Sequence, residues 1–235
     1  MKNQRGATLI TVLIILLIVT ILGAIAVKSG ILSLKIATNS QVNSLLLENS
    51  DAALFNIENP KDVARQLAID GMFAYFNAVE NANDELVFCY RASETSFFSL
   101  SKASVITDSG TKTTKIGVDG FCKANQFATG RSAVLSQVYL TKNTVPTQPF
   151  GSVPKGTSLG ESNIPMTTHN IGATVISILP SFSSASSTDI ERCFKRPSIK
   201  PAIGTTVNEC FDTLDVPYNM QHADYIVGGQ PKLAS

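Results

Sequence analysis

The sequence predicts an α+β protein: one long N-terminal helix, then a head built on strands and held by disulfides. Three observations predict it. An uncharged apolar stretch runs unbroken from Ala7 to Val27, and the chain continues without proline to Glu58. Beyond Asn81 the texture changes to short runs rich in aromatic and β-branched residues. Four cysteines, an even number, all lie beyond the apolar stretch. The 235 residues suffice for one sizeable domain or two small ones. The net charge of +1 favours neither nucleic acid nor an anionic membrane surface as the main partner.

The apolar stretch is 21 residues long. At helical rise it spans about 31 Å, against a hydrocarbon core of about 30 Å. Its polar side chains are Thr8, Thr11 and Thr20, and each hydroxyl can bond back to the preceding turn. Lys2 and Arg5 precede it, which favours a cytoplasmic N-terminus and an outward-facing remainder. From Lys28 to Glu58 apolar residues recur at Ile31, Leu34, Val42, Leu45, Leu46, Ala53 and Ile57, approximating one helical stripe. This two-part design suits a rod that sits in lipid and then packs one face on a domain. Asn59-Pro60 reads as the stop.

A second helix is expected from Lys61 to about Ala78, burying Val63, Leu67, Gly71, Met72, Tyr75 and Phe76. Strands are expected over Leu86–Tyr90, Ser96–Leu100, Ala133–Leu140 and Ala173–Leu179. Turns are expected at Asp108–Gly110 and Asp119-Gly120. Thr144 to Asn170 carries four prolines and reads as a long loop. The part from Asp189 reads as irregular and cysteine-clipped, with a loose tail from Gly228.

Cys89, Cys122, Cys193 and Cys210 allow three connectivities. Sequential pairing, Cys89–Cys122 and Cys193–Cys210, closes the short loops and is favoured. Each bond would stabilise the fold by roughly 3–4 kcal/mol in the chain-entropy model. No spacing is C-x-x-C, so structural zinc is not expected. His169 and His222 are far apart, and no metal or cofactor is assigned.

The leader is the most informative segment. Met-Lys-Asn-Gln-Arg-Gly ends at Gly6, and the apolar run begins at the next residue. An ordinary secretory signal is cut beyond its apolar region. Arg5, Gly6, Thr8, Leu9 and Ile10 give this segment a form that resembles the class III leader of type IV pilins and pseudopilins. The resemblance implies that a prepilin peptidase cuts between Gly6 and Ala7 and leaves the apolar segment on the mature protein. It implies N-methylation of the new amine on Ala7, where phenylalanine or methionine is commoner. Removing the leader takes Lys2 and Arg5 from the 19 basic residues and leaves 17 against 18 acidic ones.

The family's usual glutamate, fifth after the cut, is Thr11 here. A lone carboxylate in an apolar setting is costly unless paired, and the family's partner for it is a neighbouring subunit's α-amine. Threonine cannot form that ion pair. The chain therefore resembles the PilX class of minor pilins and the GspK class of pseudopilins, which lack this glutamate. The stretch Ser33 to Phe55, with its Asp51-Ala-Ala-Leu54 element, is similar to the PilX N-terminal region. The resemblance covers residues 1 to about 58, a quarter of the chain.

For the head the family implies an antiparallel sheet backed by the long helix. The resulting expectation is a leader over 1–6, a transmembrane helix half over 7–27, an amphipathic half over 28–58 and a head over 59–235. The implied function is a minor pilin, not an enzyme. It would prime type IV pilus assembly and sit at or near the tip, in twitching motility, adhesion or DNA uptake. Implied partners are other minor pilins, the major pilin, the prepilin peptidase and a tip adhesin. The implied location is the inner membrane, single-pass with the head in the periplasm, and then the pilus tip.

The main rival is a GspK-type pseudopilin of a type II secretion system. Others are a plain membrane anchor and a secreted serine hydrolase cut after Ala26, which follows the small-x-small pattern Ala24-Ile25-Ala26. Gly156-Thr-Ser-Leu-Gly160 fits G-x-S-x-G, with Ser158, His222 and Asp212 or Asp215 as a triad on paper. A nucleophile elbow needs a strand before and a helix after the serine. Pro154 and Pro165 flank it instead, so a flexible loop is the stronger expectation. Arg192, Lys195, Arg196 and Lys200 cluster around Cys193. They could meet phosphate and make DNA a weakly supported partner; a solvated loop is the stronger reading.

Overall fold

The computed structural model describes residues 5–59, 62–94, 99–107, 110–111, 116–130, 133–143, 168–199 and 204–228. The chain divides into two units, Met1–Ser44 and Leu45–Ser235. One helix, α1 (Arg5–Glu58, 54 residues), begins in the first and ends in the second.

The first unit is helix alone among its described residues. From Leu9 to Ile36 its large apolar side chains are exposed, from 48% at Ile18 to 67% at Leu34, whereas Val42 is buried. This helix is long and apolar enough to cross a membrane. Thr20 donates its hydroxyl to the Leu17 carbonyl at 2.8 Å, and Thr38 to that of Leu34 at 2.9 Å. Such back-bonding hides a polar side chain in an apolar helix.

The second unit is a six-stranded antiparallel sheet. Its strands are β1 (Glu85–Tyr90), β2 (Ser104–Thr107), β3 (Gly110–Thr111), β4 (Leu135–Lys142), β5 (Thr168–Ile178) and β6 (Tyr218–Gly228). The order is β3-β2-β1-β4-β5-β6. Helix covers the sheet on both faces. Ala53, Leu54 and Ile57 of α1 join Leu86, Phe88, Val138, Leu140, Ala173 and Val175 in one core. Val87, Leu135, Tyr139, Ile176 and Ile178 point the other way. They meet Ile190 and Phe194 of α3 (Ser187–Phe194) and Val207 and Phe211 of α4 (Val207–Thr213). A strand buried on both faces reads as a continuous apolar run, and every residue of β1, Glu-Leu-Val-Phe-Cys-Tyr, is buried.

The α+β class holds, with antiparallel pairing throughout the sheet and two disulfides. Several element expectations need correction. The helix expected over 61–78 is only α2 (Val63–Gln66), followed by turns and a 3-10 segment at Ala74–Asn77. Leu67, Met72, Tyr75 and Phe76 are buried as expected, but they are gathered by a doubled-back chain. Gly71 permits the reversal: a Cβ there would strike the carbonyl oxygens of Arg65 and Gln66. Part of the expected strand Ser96–Leu100 lies outside the described residues. Ser99 makes a single bridge to Gly71, and Leu100 opens a 3-10 turn.

The expected loop Thr144–Asn170 ends early, because Thr168–Asn170 already belong to β5. Its remainder, and the turn residues Asp108 and Ser109, lie outside the described residues. The part from Asp189 is not irregular: it holds most of α3, all of α4 and the eleven-residue β6. Gly228 closes β6, and the tail beyond it is outside the described residues.

Candidate functional site

The sequence points to the N-terminal helix as the functional element. Gly6 and Ala7 lie in its first turns; their side chains, and Met1–Gln4 entirely, are outside the described residues. Thr11 is exposed on α1 among exposed Leu9, Ile10 and Val12. No acidic side chain stands in the first turn of the helix.

The last third of α1 is held on the sheet by packing and by a few directed bonds. Leu46, Ala53 and Ile57 are buried, and so are the polar Asn49 and Ser50. Ser50 donates to Ser177 Oγ at 2.8 Å, and Ser177 Oγ lies 2.7 Å from Ser136 Oγ. Ser136 and Ser177 are directly opposed on β4 and β5. Buried hydroxyls need partners, and these three supply one another. Asn56 donates from Nδ2 to the Tyr90 hydroxyl at 2.9 Å. Gln66 donates to the Ile57 carbonyl at 2.9 Å, which satisfies one of the orphan carbonyls at the helix end.

The outward side of the same segment carries Leu47 at 42% exposure and Phe55 at 72%, with exposed Glu48 and Asp51. Positions 47, 51 and 55 repeat every four residues and so share one face. The Asp51-Ala-Ala-Leu54 element is thereby divided: Asp51 faces out, while Ala53 and Leu54 enter the core.

On the opposite face of the sheet the cysteines pair as favoured. Cys89 joins Cys122, and Cys193 joins Cys210, with Cα separations of 4.8 and 5.5 Å. The second bond ties α3 to α4. Gln137 donates to the Phe194 carbonyl at 2.7 Å and accepts from the Cys122 N–H at 2.8 Å. Glu85 is a buried carboxylate that accepts from the backbone N–H groups of Ser198 and Ile199 at 2.8 and 2.9 Å. Burial pushes its pKa up, and the bonds from Ser198 and Ile199 partly offset that. Burial, with Glu85 nearby, also raises the Tyr139 hydroxyl.

The paper triad fares as follows. Ser158 and its G-x-S-x-G frame lie outside the described residues. His222 sits on β6 with Nδ1 2.9 Å from Thr174 Oγ1 and Nε2 3.2 Å from Asp224 Oδ1. Asp212 accepts from the Tyr218 hydroxyl at 3.2 Å, and Asp215 turns the chain with a φ of 51°. His169 lies in β5.

In the basic cluster, Arg192 pairs with Asp189 at 2.9 Å, Lys195 caps α3 and Arg196 is exposed. Lys200 is outside the described residues. Among the described residues no group of three His, Cys, Asp or Glu side chains could hold a metal ion. A cleft of about 290 Å³ opens beside Asp84, Glu85 and Lys142. Its polar groups are engaged: Asp84 accepts from Tyr75 at 2.6 Å, and Lys142 donates to the Phe76 carbonyl at 3.1 Å.

The residues that sequence reasoning missed are Ser50, Ser136, Ser177, Glu85 and Gln137. Serines scattered over 127 positions give no local signal. A glutamate and a glutamine within apolar strands did carry one, since a polar residue inside a fully buried run must find a partner.

The chain matches no protein-family model, and no curated protein or solved structure is similar to it.

Proposed function

We propose that this chain is a minor pilin of the PilX type, which helps prime a type IV pilus and is carried at or near its tip. The observation that carries the reading is the order of the first 27 residues: a basic leader, Gly6, and at once a charge-free membrane-length run. Cutting before that run keeps it on the mature protein. The same apolar helix can then sit in the bilayer and later pack among other helices in a filament core.

Thr11 refines the reading. A subunit without a carboxylate there cannot draw in a neighbour's α-amine, so it suits a place at an end rather than a repeating position. The helix seated on the sheet from Leu45 to Glu58, with Leu47 and Phe55 turned outward, supports a subunit that couples a head to a helical bundle. In this reading the protein waits in the inner membrane with its head in the periplasm. It joins other minor pilins and the major pilin through α1, after processing by the prepilin peptidase. A GspK-type pseudopilin shares the N-terminal features; loss of piliation rather than of protein secretion on deletion distinguishes the two.

The decisive test is the intact mass and N-terminal residue of the protein taken from its own membranes. A chain beginning at Ala7 and heavier by one methyl group is the expected result. A chain beginning at Val27 overturns the filament reading in favour of a secreted protein. A chain still beginning at Met1 overturns it in favour of a plain anchor.

A further inference from the structure

The sheet ends on β6, and among the described residues no strand pairs with its outer edge. Such an edge is a template for another strand, and proteins usually blunt it with proline, charged side chains, a bulge, short length or a covering element. Among the described residues β6 carries one of these, the exposed Asp224. It is eleven residues long, pairs with β5 residue for residue without interruption, and contains neither proline nor lysine.

Its midpoint is Ala223, flanked by His222 and Asp224. Alternate positions share a face, so these two side chains project together. Both are more than half exposed, at 53% and 62%. Their Nε2 and Oδ1 atoms lie 3.2 Å apart, with Thr174 Oγ1 2.9 Å from His222 Nδ1 and Asn143 Nδ2 donating to the same Asp224 Oδ1 at 2.5 Å.

We propose that a second copy of this chain docks on β6, antiparallel and strand to strand, about a two-fold axis at Ala223. Pairing about that residue sets Tyr218 opposite Gly228 of the second copy, so the whole strand is used with no overhang. It sets His222 opposite Asp224 of the second copy, and Asp224 opposite His222. Two imidazoles and two carboxylates then alternate around the axis. On the other face Gln221 meets Tyr225. A register centred on Asp224 would set two carboxylates against each other, which is unfavourable across an antiparallel pair, and one centred on His222 would set each Asp224 opposite Met220. The contact is isologous, so it covers both edges at once and closes as a dimer. This inference goes beyond the pilin reading and does not depend on it.

The test is sedimentation velocity of the full chain in detergent micelles over a range of protein concentrations. A monomer–dimer equilibrium is expected. His222→Asp sets carboxylate against carboxylate at both cross-strand pairs, and Asp224→His leaves imidazole against imidazole; each loses both imidazole–carboxylate pairs and should weaken the dimer by roughly tenfold. The double exchange, His222→Asp with Asp224→His, should restore it. Thermal unfolding of each variant checks that the fold is kept. On the unmodified protein, hydrogen exchange of the β6 amides should slow as concentration rises. A chain that stays monomeric, or a dimer indifferent to the single exchanges, overturns the proposal. The N-terminal mass reads the pilin assignment separately, so either idea can fail alone.

Discussion

At the scale of single residues, two buried polar groups decide how the head is built. Ser177 sits between Ser50 and Ser136 where α1 meets the sheet. Replacing it with alanine removes the hydroxyl that both neighbours use. Ser177→Ala should destabilise the protein by about 1–3 kcal/mol, read as a lower urea midpoint at unchanged slope. Glu85 is the second. Its folded pKa is raised, chiefly by burial, above an unfolded value of about 4.3. The folded carboxyl therefore keeps its proton at pH values where the unfolded one has lost it. That contribution is complete below about pH 4.3 and is lost as pH rises through the folded value. Denaturation at several pH values from 4 to 7 should show this step in the wild type and not in Glu85→Gln. An identical pH dependence in the two proteins would remove Glu85 as its source.

At the scale of elements, the α3–α4 hairpin shows what the sequence does and does not disclose. Thr206 and Glu209 form a reciprocal capping box at the start of α4, with bonds of 3.4 and 3.0 Å. Thr206→Ala should cost about 1 kcal/mol. Replacing Cys193 and Cys210 together by serine should cost roughly 3 kcal/mol, since the bond closes a short loop; a thermal melt beside the wild type measures both. Thr206-x-x-Glu209 and Ser186-x-x-Asp189 open helices that the sequence reading missed, because each helix is shorter than the window in which periodicity is clear. The long helix was legible because its pattern extends over dozens of residues. Strands β1, β4 and β5 were legible as apolar runs. β6 was not, because Asn219, Gln221, His222 and Asp224 interrupt its apolar residues and weaken the hydrophobic signal. Neither was the chain reversal at Gly71, where apolar spacing matched a helix that close backbone approach forbids. Of the candidate site, the disulfide pairing could be read in advance, whereas the serine chain is a product of the tertiary fold.

At the scale of the whole molecule, the division of labour along α1 makes a separable prediction. Phe55 is 72% exposed and contributes little to the core of the head. Phe55→Ala should leave thermal stability within about 0.5 kcal/mol of wild type. On the proposed minor-pilin reading it should nevertheless reduce the share of the protein recovered in sheared filaments relative to membranes, measured by quantitative immunoblot. Full recovery in filaments would show that this face is not used in assembly. Leu46→Ala, on the buried side, should do the reverse: a loss of about 2–5 kcal/mol in stability.

The three linked serines also bear on mechanical load. A hydrogen bond weakens steeply with misalignment. A shift of α1 by one residue along its axis is about 1.5 Å, enough to stretch and misalign the 2.8 Å bond from Ser50. Traction along the helix would therefore fall first on a few hydroxyls and on the Gln66 bond to Ile57. The joint is keyed like a shaft: free to bear weight across the sheet, and locked against slipping along it.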